Sequence, residues 1–464
     1  MTLIKSISGI RGTIGGRPGD GLSPLDIVKF ASAYGSWIVS NNDGKKAKII
    51  IGRDARISGQ MVNNIVCGTL VGLGIDVIDL GLSTTPTVEV AVTELKADGG
   101  IILTASHNPK QWNALKLLNN KGEFISDIEG KYILELADKE DFSYSNVDHL
   151  GSYTQRNDLV QIHIDKVLKL PYVDVEAIKK ANFSVAVDAV NSSGGIVIPM
   201  LLEALGVKNI HKIHCEPDGH FAHNPEPLPE HLHDLAETVL KTKSHVGISV
   251  DPDVDRLALV CEDGEMFGEE YTLVAVADCV LQHHKGGNTV SNLSSTRALR
   301  DVTEKMGGSY SASAVGEVNV VNMMKSTNAI IGGEGNGGVI LPELHYGRDA
   351  LVGVAIFLTH LAKSGQTASM LRSSYPNYHI SKNKIELTPE INVDKVLLSV
   401  KEKYAKQPVN SVDGVKIEFD KEWVHLRKSN TEPIIRIYSE SESVTTADAL
   451  AKKIIEDIKE IIKN

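Results

Sequence analysis

At 464 residues the chain is too long for one ordinary core, and usual domain sizes of about 100–150 residues suggest roughly three domains, with two to four tolerable. A formal net charge of -11 disfavours nucleic acid or an anionic membrane as the main partner, since both need a basic footprint, so any anion site must be local. Aromatic residues make up only 5 %, which leaves Ile, Val, Leu and Ala to build the cores, a composition suited to parallel sheets covered by helices. Cys67, Cys215, Cys261 and Cys279 are widely spaced with no Cys-x-x-Cys, so neither a zinc site nor a disulfide framework is signalled. The first residues lack an apolar leader pattern, and no run approaches the ~18 apolar residues of a bilayer span. A cytoplasmic protein is the expectation.

Ser8-Gly9-Ile10-Arg11-Gly12 reads as a Gly-bounded loop carrying one arginine. Ser23 before Pro24 is an N-cap signal, and Leu25, Val28, Ala31, Tyr34 and Ile38 predict one apolar face of a helix over 24–39. Strand-like runs follow at 47–51, 75–80 and 100–103, separated by helical patterns after Ser58 and after Pro86. The last run, opened by Gly99-Gly100, reads as a buried parallel strand and ends in Thr104-Ala105-Ser106-His107-Asn108-Pro109. A hydroxyl at the carboxyl end of such a strand stands where open α/β sheets bind ligands. The plain alternative is a helix cap or turn.

After a polar stretch at 138–148, strands at 183–187, 209–214 and 246–250 with a helix at 195–205 repeat the pattern. A third block over 257–373 carries strands near 257–261, 289–293, 309–314 and 329–331. The tail differs, with short strands at 415–419, 423–426 and 434–438 before a helix whose Ala447, Leu450, Ala451, Ile454, Ile458 and Ile461 share a face. The fold class expected is α/β, with related mixed-sheet domains at 1–150, 151–256 and 257–373 and a smaller α+β domain at 374–464.

Three further motifs carry chemistry. Asp251-Pro252-Asp253-Val254-Asp255-Arg256 places carboxylates at i, i+2 and i+4, expected on one side of an extended segment. Their mutual repulsion is ~1 kcal/mol per pair even in bulk water, and a hard cation such as Mg²⁺ or Ca²⁺ resolves it. An EF-hand loop is excluded because Arg256 occupies the required glycine position, which leaves a solvated acidic turn as the plain alternative. Gly332-Gly333-Glu334-Gly335-Asn336-Gly337-Gly338 surrounds one carboxylate and one amide with glycines, suited to the close approach of a sugar, or simply a loop. Arg427-Lys428-Ser429-Asn430-Thr431-Glu432-Pro433, with Arg436 beyond, offers cations, hydroxyls and N–H groups for a phosphate, or a solvated basic turn.

Taken in this order, the four motifs resemble those of the α-D-phosphohexomutase superfamily over essentially the whole chain. The Ser8–Gly12 segment and Gly52-Arg53-Asp54-Ala55-Arg56-Ile57-Ser58-Gly59 are similar to its N-terminal signatures. The resemblance implies three related α/β domains and a fourth, smaller one around a central cleft. It implies that Ser106 is phosphorylated, and that Mg²⁺ is held by Asp251, Asp253, Asp255 and the phosphate on Ser106. It implies that Arg11 and Arg256 neutralise charge, that Arg427, Ser429, Asn430, Thr431 and Arg436 hold the phosphate that is not transferring, and that Glu334 and Asn336 hold sugar hydroxyls. The substrates implied are small-molecule sugar phosphates interconverted through a hexose 1,6-bisphosphate, which also serves as activator. Nucleic acid and membrane are not expected partners, and a monomer and a homodimer both stay open.

Many members of that superfamily read Gly-Glu-x-Ser-Gly-His in the sugar loop, whereas Asn336 and Gly338 stand at the Ser and His positions here. Lys116 is the preferred replacement for the missing acid/base, and His107 the second. The Gly-Glu-Gly-Asn-Gly-Gly form, followed by His345-Tyr346-Gly347-Arg348-Asp349, resembles the branch assigned as phosphoglucosamine mutases, with phosphoglucomutase/phosphomannomutase as the alternative. A metal phosphatase using Ser106 and a non-catalytic sugar-phosphate sensor are the competing classes. The basic loop argues against the first, and the serine with three carboxylates against the second.

Overall fold

Alternating aliphatic residues decide the two faces of the first sheet. The computed structural model describes residues 2–6, 9–388, 391–428 and 434–463. Its first seven strands are β1 (Ile4–Ser6), β2 (Gly9–Thr13), β3 (Lys48–Arg53), β4 (Asp76–Leu82), β5 (Gly99–Leu103), β6 (Trp112–Leu118) and β7 (Tyr153–Gln155), in the order β1-β2-β6-β5-β3-β4-β7. Along β3, Ile49 and Ile51 enter one core cluster with Ile101 and Leu103, while Ile50 enters the opposite one with Ile102, the period of two that a pleated strand imposes. Helices Pro24–Ser40 and Gly59–Gly72 cover the first face, and Thr85–Glu94 with Leu159–Leu168 the second.

Two local expectations are corrected here. Gly9–Thr13 is a strand rather than a loop, paired antiparallel with β1 and β6, so Arg11 projects from a sheet. The first helix keeps most of the expected face, with Ala31, Tyr34 and Ile38 buried and Val28 half-buried, but Leu25 departs from it. Ser23 and Asp26 form a reciprocal capping box that turns Asp26 inward, burying Ile27, Phe30, Tyr34 and Ile38 and leaving Leu25 66 % exposed. β5 is parallel to β3, as expected, but antiparallel to β6, a strand absent from the sequence reading.

The second sheet has β8 (Ser184–Asp188), β9 (Asn209–Ile213), β10 (Val246–Val250) and β11 (Leu257–Cys261), in the order β11-β10-β8-β9. β11 was expected in the third block. It instead pairs antiparallel with β10 over five residues and forms the edge of the second sheet. Helices Gly194–Ala204 and His233–Thr242 flank this sheet, the second of them unforeseen.

By contact density the chain divides into two compact units, one running to Thr272 and including Asn336–Ser369, the other made of Leu273–Gly335 and the chain from Met370. The second unit carries β12 (Asn288–Asn292), β13 (Ser309–Ser313) and β14 (Ile331–Glu334), all parallel, with β12 central. Gly332, Gly333 and Glu334 are therefore strand residues rather than loop residues. β15 (Gly338–Ile340) and the buried helix Ala350–Ser364 belong to the first unit. The second unit ends in β16 (His379–Glu386), β17 (Val409–Asn410), β18 (Val415–Glu418), β19 (Trp423–Lys428) and β20 (Ile434–Ser441), an antiparallel sheet in the order β16-β20-β19-β18-β17. Helix Val444–Lys463 packs Leu450, Ile454 and Ile458 onto it, as their spacing predicts.

Candidate active site

Ser106 follows β5, all five residues of which are buried, and adopts a left-handed backbone with φ of +49°. A non-glycine residue pays strain there of about 1–3 kcal/mol, so the surroundings must hold it. Arg56 does so with every donor it has. Its Nη2 donates to the carbonyls of Ser106 (2.5 Å) and Asn108 (2.7 Å), and its Nη1 to those of Pro109 (2.8 Å) and Trp112 (2.9 Å). Its Nε donates to Asp54 Oδ2 at 3.0 Å, a carboxylate that also accepts from Thr104 Oγ1 at 2.6 Å. Thr104 Oγ1 in turn accepts from the Ser106 N–H at 2.9 Å. The Gly52–Gly59 segment thus holds the serine loop, a task its sequence did not reveal.

The carboxylates converge by a route other than the one expected. Residues 251–256 form a turn joining antiparallel strands, with Val254 at φ of +63°, rather than an extended segment. Asp251 Oδ1 accepts from the N–H groups of Asp255 (3.2 Å) and Arg256 (3.1 Å), folding the turn around that side chain. Asp251, Asp253 and Asp255 are fully buried, with one oxygen of each within 4.8 Å of the others. Ser106 Oγ donates to Asp251 Oδ2 at 3.0 Å, so the hydroxyl at the end of β5 meets the acidic turn after β10.

Cations answer this charge. Lys116, on β6, places Nζ 2.7 Å from Asp253 Oδ2 and 3.6 Å from Asp255 Oδ2. Thr85 Oγ1 donates to Asp253 Oδ2 at 2.5 Å, and Arg348 donates to Asp255 Oδ2 at 2.7 Å. Burial and the two neighbouring carboxylates push Asp251 well above the usual carboxylate range. Burial also acts to raise Asp253, but the Lys116 ammonium together with hydrogen bonds from Lys116, Thr85 and Asp251 outweighs it and holds that group low. Burial lowers Lys116, and Asp253 and Asp255 more than reverse this, so its ammonium is held above the ordinary lysine range. Burial, with Arg256 and Arg348 nearby, pulls His107 down to about 3, leaving a neutral ring whose Nδ1 is 3.4 Å from Ser106 Oγ.

Arg256 is buried, with Nη1 3.6 Å from Glu226. Arg11 lies opposite Ala114 in the β2–β6 register, which puts it on the same sheet face as Lys116, and its Nε is buried without a hydrogen-bond partner. Among the sequence candidates, Ser106, His107, Lys116, Asp251, Asp253 and Asp255 are brought together directly. Arg348 was quoted in the sequence without a role. Gly338 explains its path, since a Cβ at that position would stand 2.3 Å from Arg348 Cδ, so the arginine stem fills the space a side chain there would need.

In the first unit, Asn336 Oδ1 accepts from the Gly338 N–H at 3.3 Å. In the second, Glu334 is buried and accepts from Asn292 Nδ2 at 3.0 Å and the Gly316 N–H at 3.1 Å. Arg427 lies in β19 rather than in a loop, directly opposite Arg436 in β20, which is itself opposite Lys384 in β16. Three cations thus line adjacent strands, where like charges destabilise one another unless an anion intervenes. Asp413 lies 2.7 Å from Arg427 Nε. Ser8, Ser429, Asn430 and Thr431 lie outside the described residues.

Four family models match in sequence order: phosphoglucomutase/phosphomannomutase alpha/beta/alpha domains I (3–144), II (161–264) and III (268–378), and the C-terminal domain (388–457). The chain belongs to the phosphoglucomutase/phosphomannomutase family. A phosphoglucomutase/phosphomannomutase of Thermococcus kodakarensis is 35 % identical, over 97 % of this chain and 99 % of its own. A phosphoglucosamine/phosphogalactosamine mutase of Sulfurisphaera tokodaii is 32 % identical, over 98 % of this chain and 100 % of its own. A crystal structure of a family protein from Burkholderia thailandensis superposes with a TM-score of 0.83 at 25 % identity, covering 99 % of this chain and 98 % of that one. The chain is thus a phosphohexomutase of the α-D-phosphohexomutase superfamily, an isomerase acting by phosphoryl transfer, with three related α/β domains and a C-terminal domain. No helix among the described residues is long and apolar enough to cross a membrane.

Proposed function

We infer that this phosphohexomutase interconverts glucosamine 6-phosphate and glucosamine 1-phosphate through a phosphorylated Ser106 and a 1,6-bisphosphate. The observation that carries the phosphoserine reading is the 3.0 Å contact of Ser106 Oγ with Asp251, beside two further buried carboxylates. The donor set fits Mg²⁺. Asp253 Oδ1 and Asp255 Oδ1 are buried with no hydrogen-bond partner, oxygens that a hard cation would satisfy. When bound by Asp251, Asp253, Asp255 and the serine phosphate, Mg²⁺ supplies charge neutralisation at the phosphate oxygens.

The chain's own residues position and neutralise. Arg56 fixes the Ser106 carbonyl, so the phosphoryl group is presented from an over-determined backbone. In transfer, the phosphorus–Ser106 oxygen bond breaks as the sugar hydroxyl oxygen bonds to phosphorus, so Ser106 Oγ must gain a proton and the sugar hydroxyl must lose one. Lys116 is assigned both: its ammonium gives a proton to the departing Ser106 oxygen, and the amine so formed takes the hydroxyl proton. His107, with its neutral ring near Ser106, is the second candidate, and near-normal turnover in Lys116→Ala would transfer the role to it. Arg11 and Arg256 neutralise the transferring phosphate. Glu334 and Asn336 bind sugar hydroxyls, and Arg427 and Arg436, with Ser429, Asn430 and Thr431, hold the other phosphate.

The Gly-Glu-Gly-Asn-Gly-Gly segment supports the glucosamine assignment, as does the name of the Sulfurisphaera relative. The Thermococcus relative favours a second reading, glucose or mannose phosphates. Comparing kcat/KM for glucosamine, glucose and mannose phosphates, each with its bisphosphate as primer, separates the two. Preference for glucosamine is expected, and preference for mannose or glucose phosphate refutes that sugar. Ser106→Ala is expected to lose mutase activity and the phosphate detected on Ser106 by mass spectrometry. Full activity in that variant refutes the mechanism.

A further inference from the structure

Away from the serine and acidic loops, the first unit gathers Asp188, His214 and His223, with one carboxylate oxygen and two ring nitrogens within 4.8 Å of one another. Asp188 ends β8, His214 directly follows β9, and His223 lies farther along the same connection. Asp188 Oδ2 is 3.0 Å from His214 Nδ1 and 3.1 Å from His223 Nε2. Its Oδ1 accepts from the Val190 N–H at 2.9 Å, which fixes the carboxylate's orientation.

The outer ring nitrogens are engaged too. His223 Nδ1 lies 2.8 Å from the Asn224 carbonyl oxygen, and His214 Nε2 lies 3.5 Å from an Asp234 carboxylate oxygen. A carbonyl only accepts, so one His223 proton sits on Nδ1, and Nε2 faces an anionic oxygen as well. That contact needs either an added proton or a cation. Outer ring nitrogens bound to a carbonyl and a carboxylate are also the usual surroundings of metal-ligating histidines.

Two more features mark a built site. Val190 (φ +46°), Asn191 (+53°) and His214 (+47°) all adopt left-handed backbone, which for β-branched Val190 is an outlier that surrounding structure must enforce. Donors around a tetrahedral ion at bonds of about 2.0–2.1 Å stand about 3.3 Å apart, close to the 3.0 and 3.1 Å separations seen here. The Asp188 side chain is fully buried, while those of His214 and His223 keep 22 % and 15 % exposure, which leaves a side open to water.

We propose that Asp188, His214 and His223 form a second metal site, one for a borderline transition-metal ion of the Zn²⁺ type, with its fourth position open to water. Two imidazoles and a carboxylate select such ions, whereas the all-oxygen set of Asp251, Asp253 and Asp255 suits Mg²⁺. Its effect is a clamp on the neighbouring loop. Asn191 donates its N–H to the His214 carbonyl at 2.6 Å. Next to it, Ser192 Oγ accepts from the Ala55 N–H at 3.2 Å and donates to the Pro252 carbonyl at 2.7 Å. An ion joining Asp188 to His214 and His223 therefore stiffens the loop that touches both the Arg56 segment and the acidic turn.

The test titrates Zn²⁺ into chelator-stripped full-length protein in competition with a chromophoric chelator, under saturating Mg²⁺. One Zn²⁺ per chain is expected in the wild type and in Asp253→Asn, with affinity at least about tenfold weaker in His223→Gln. Absence of Zn²⁺ binding in the Mg²⁺-saturated wild type, or undiminished binding in His223→Gln, overturns the proposal. A second measurement needs no variant. Acylation of histidines by diethyl pyrocarbonate, mapped by mass spectrometry, is expected to fall at His214 and His223 when Zn²⁺ is added, and unchanged labelling of both overturns the site.

Discussion

Replacing Arg56 by methionine keeps most of the buried volume and removes all five donors of the guanidinium. In the wild type these reach four carbonyls of the serine loop and the Asp54 carboxylate, at 2.5 to 3.0 Å. Taken singly, hydrogen bonds to a charged group contribute about 1.5–3 kcal/mol, but five bonds on one side chain are not additive. Breaking a buried ion pair by removing one partner costs about 3–5 kcal/mol, and that is the loss of unfolding free energy expected for Arg56→Met. Asp54, already raised by burial and held back by Arg56, will neutralise part of the cost by taking up a proton. Activity should suffer separately from stability. With Ser106 at φ of +49°, loss of the tie lets the loop relax toward ordinary backbone, and a displacement of about 1 Å at a reacting group costs on the order of 10²-fold in rate. Denaturant unfolding and steady-state kinetics at a temperature where the variant is folded read the two effects, with kcat falling more than KM rises. Arg56→Lys keeps the charge but cannot fan out to five acceptors, so it should recover part of the stability and little of kcat. If Arg56→Met unfolds within about 1 kcal/mol of wild type with unchanged kcat, the loop is held by other means and the reasoning fails.

Asp251→Asn retains an Oδ1 acceptor for the Asp255 and Arg256 N–H groups while removing one of three crowded carboxylates. Its melting temperature without metal should equal or exceed that of wild type, while the Mg²⁺-induced rise in melting temperature shrinks, corresponding to at least about tenfold weaker binding. His345 lies 3.1 Å from both Asp349 and Glu89. Burial lowers its pKa, but Asp349 and Glu89 outweigh this and raise it from 6.5 to about 10, so its stabilisation is complete below about pH 6.5 and is lost as pH climbs through 10. Unfolding free energy should therefore fall across that window by up to about 1.4 kcal/mol per pH unit, and His345→Gln should flatten the slope. Gly338→His restores the residue common in the sugar loop of related enzymes, yet its Cβ would meet Arg348 Cδ at 2.3 Å. Lower melting temperature and lower kcat are expected, and a gain in either contradicts the packing argument.

What could be read from the sequence was chemistry concentrated in short stretches. Ser106 and the three aspartates stand out because a hydroxyl at a strand end and clustered carboxylates have few bland explanations together, whereas Lys116 entered only as a replacement for a histidine that the family resemblance implied. Choice of partner over long distance was not legible. The run 257–261 is buried throughout, and a continuous apolar strand carries no alternation to say which sheet it joins. Its neighbour β10 lies only a six-residue turn away, and nearness in sequence was the available signal. Arg56 lay unused inside a quoted segment because its five acceptors come from its own segment and from residues 106–112, a geometry no spacing rule encodes. In the first helix Leu25 alone leaves the apolar face, because the capping box turns its neighbour Asp26 inward, a contact that apolar spacing does not register.

Gly338 shows the same limit from the other side. As a sequence position it stands for a missing histidine, whose role Lys116 or His107 would have to take. In the fold that space is filled by the stem of Arg348, whose guanidinium reaches Asp255 at 2.7 Å. The glycine is thus what lets an arginine from the 341–349 connection approach the acidic turn. An arginine does not exchange protons near neutral pH, so what this position contributes is fixed positive charge, and the proton must move through a different side chain. Gly338 and Arg348 share one packing space in this chain, so substituting either alone should harm the site more than exchanging both together.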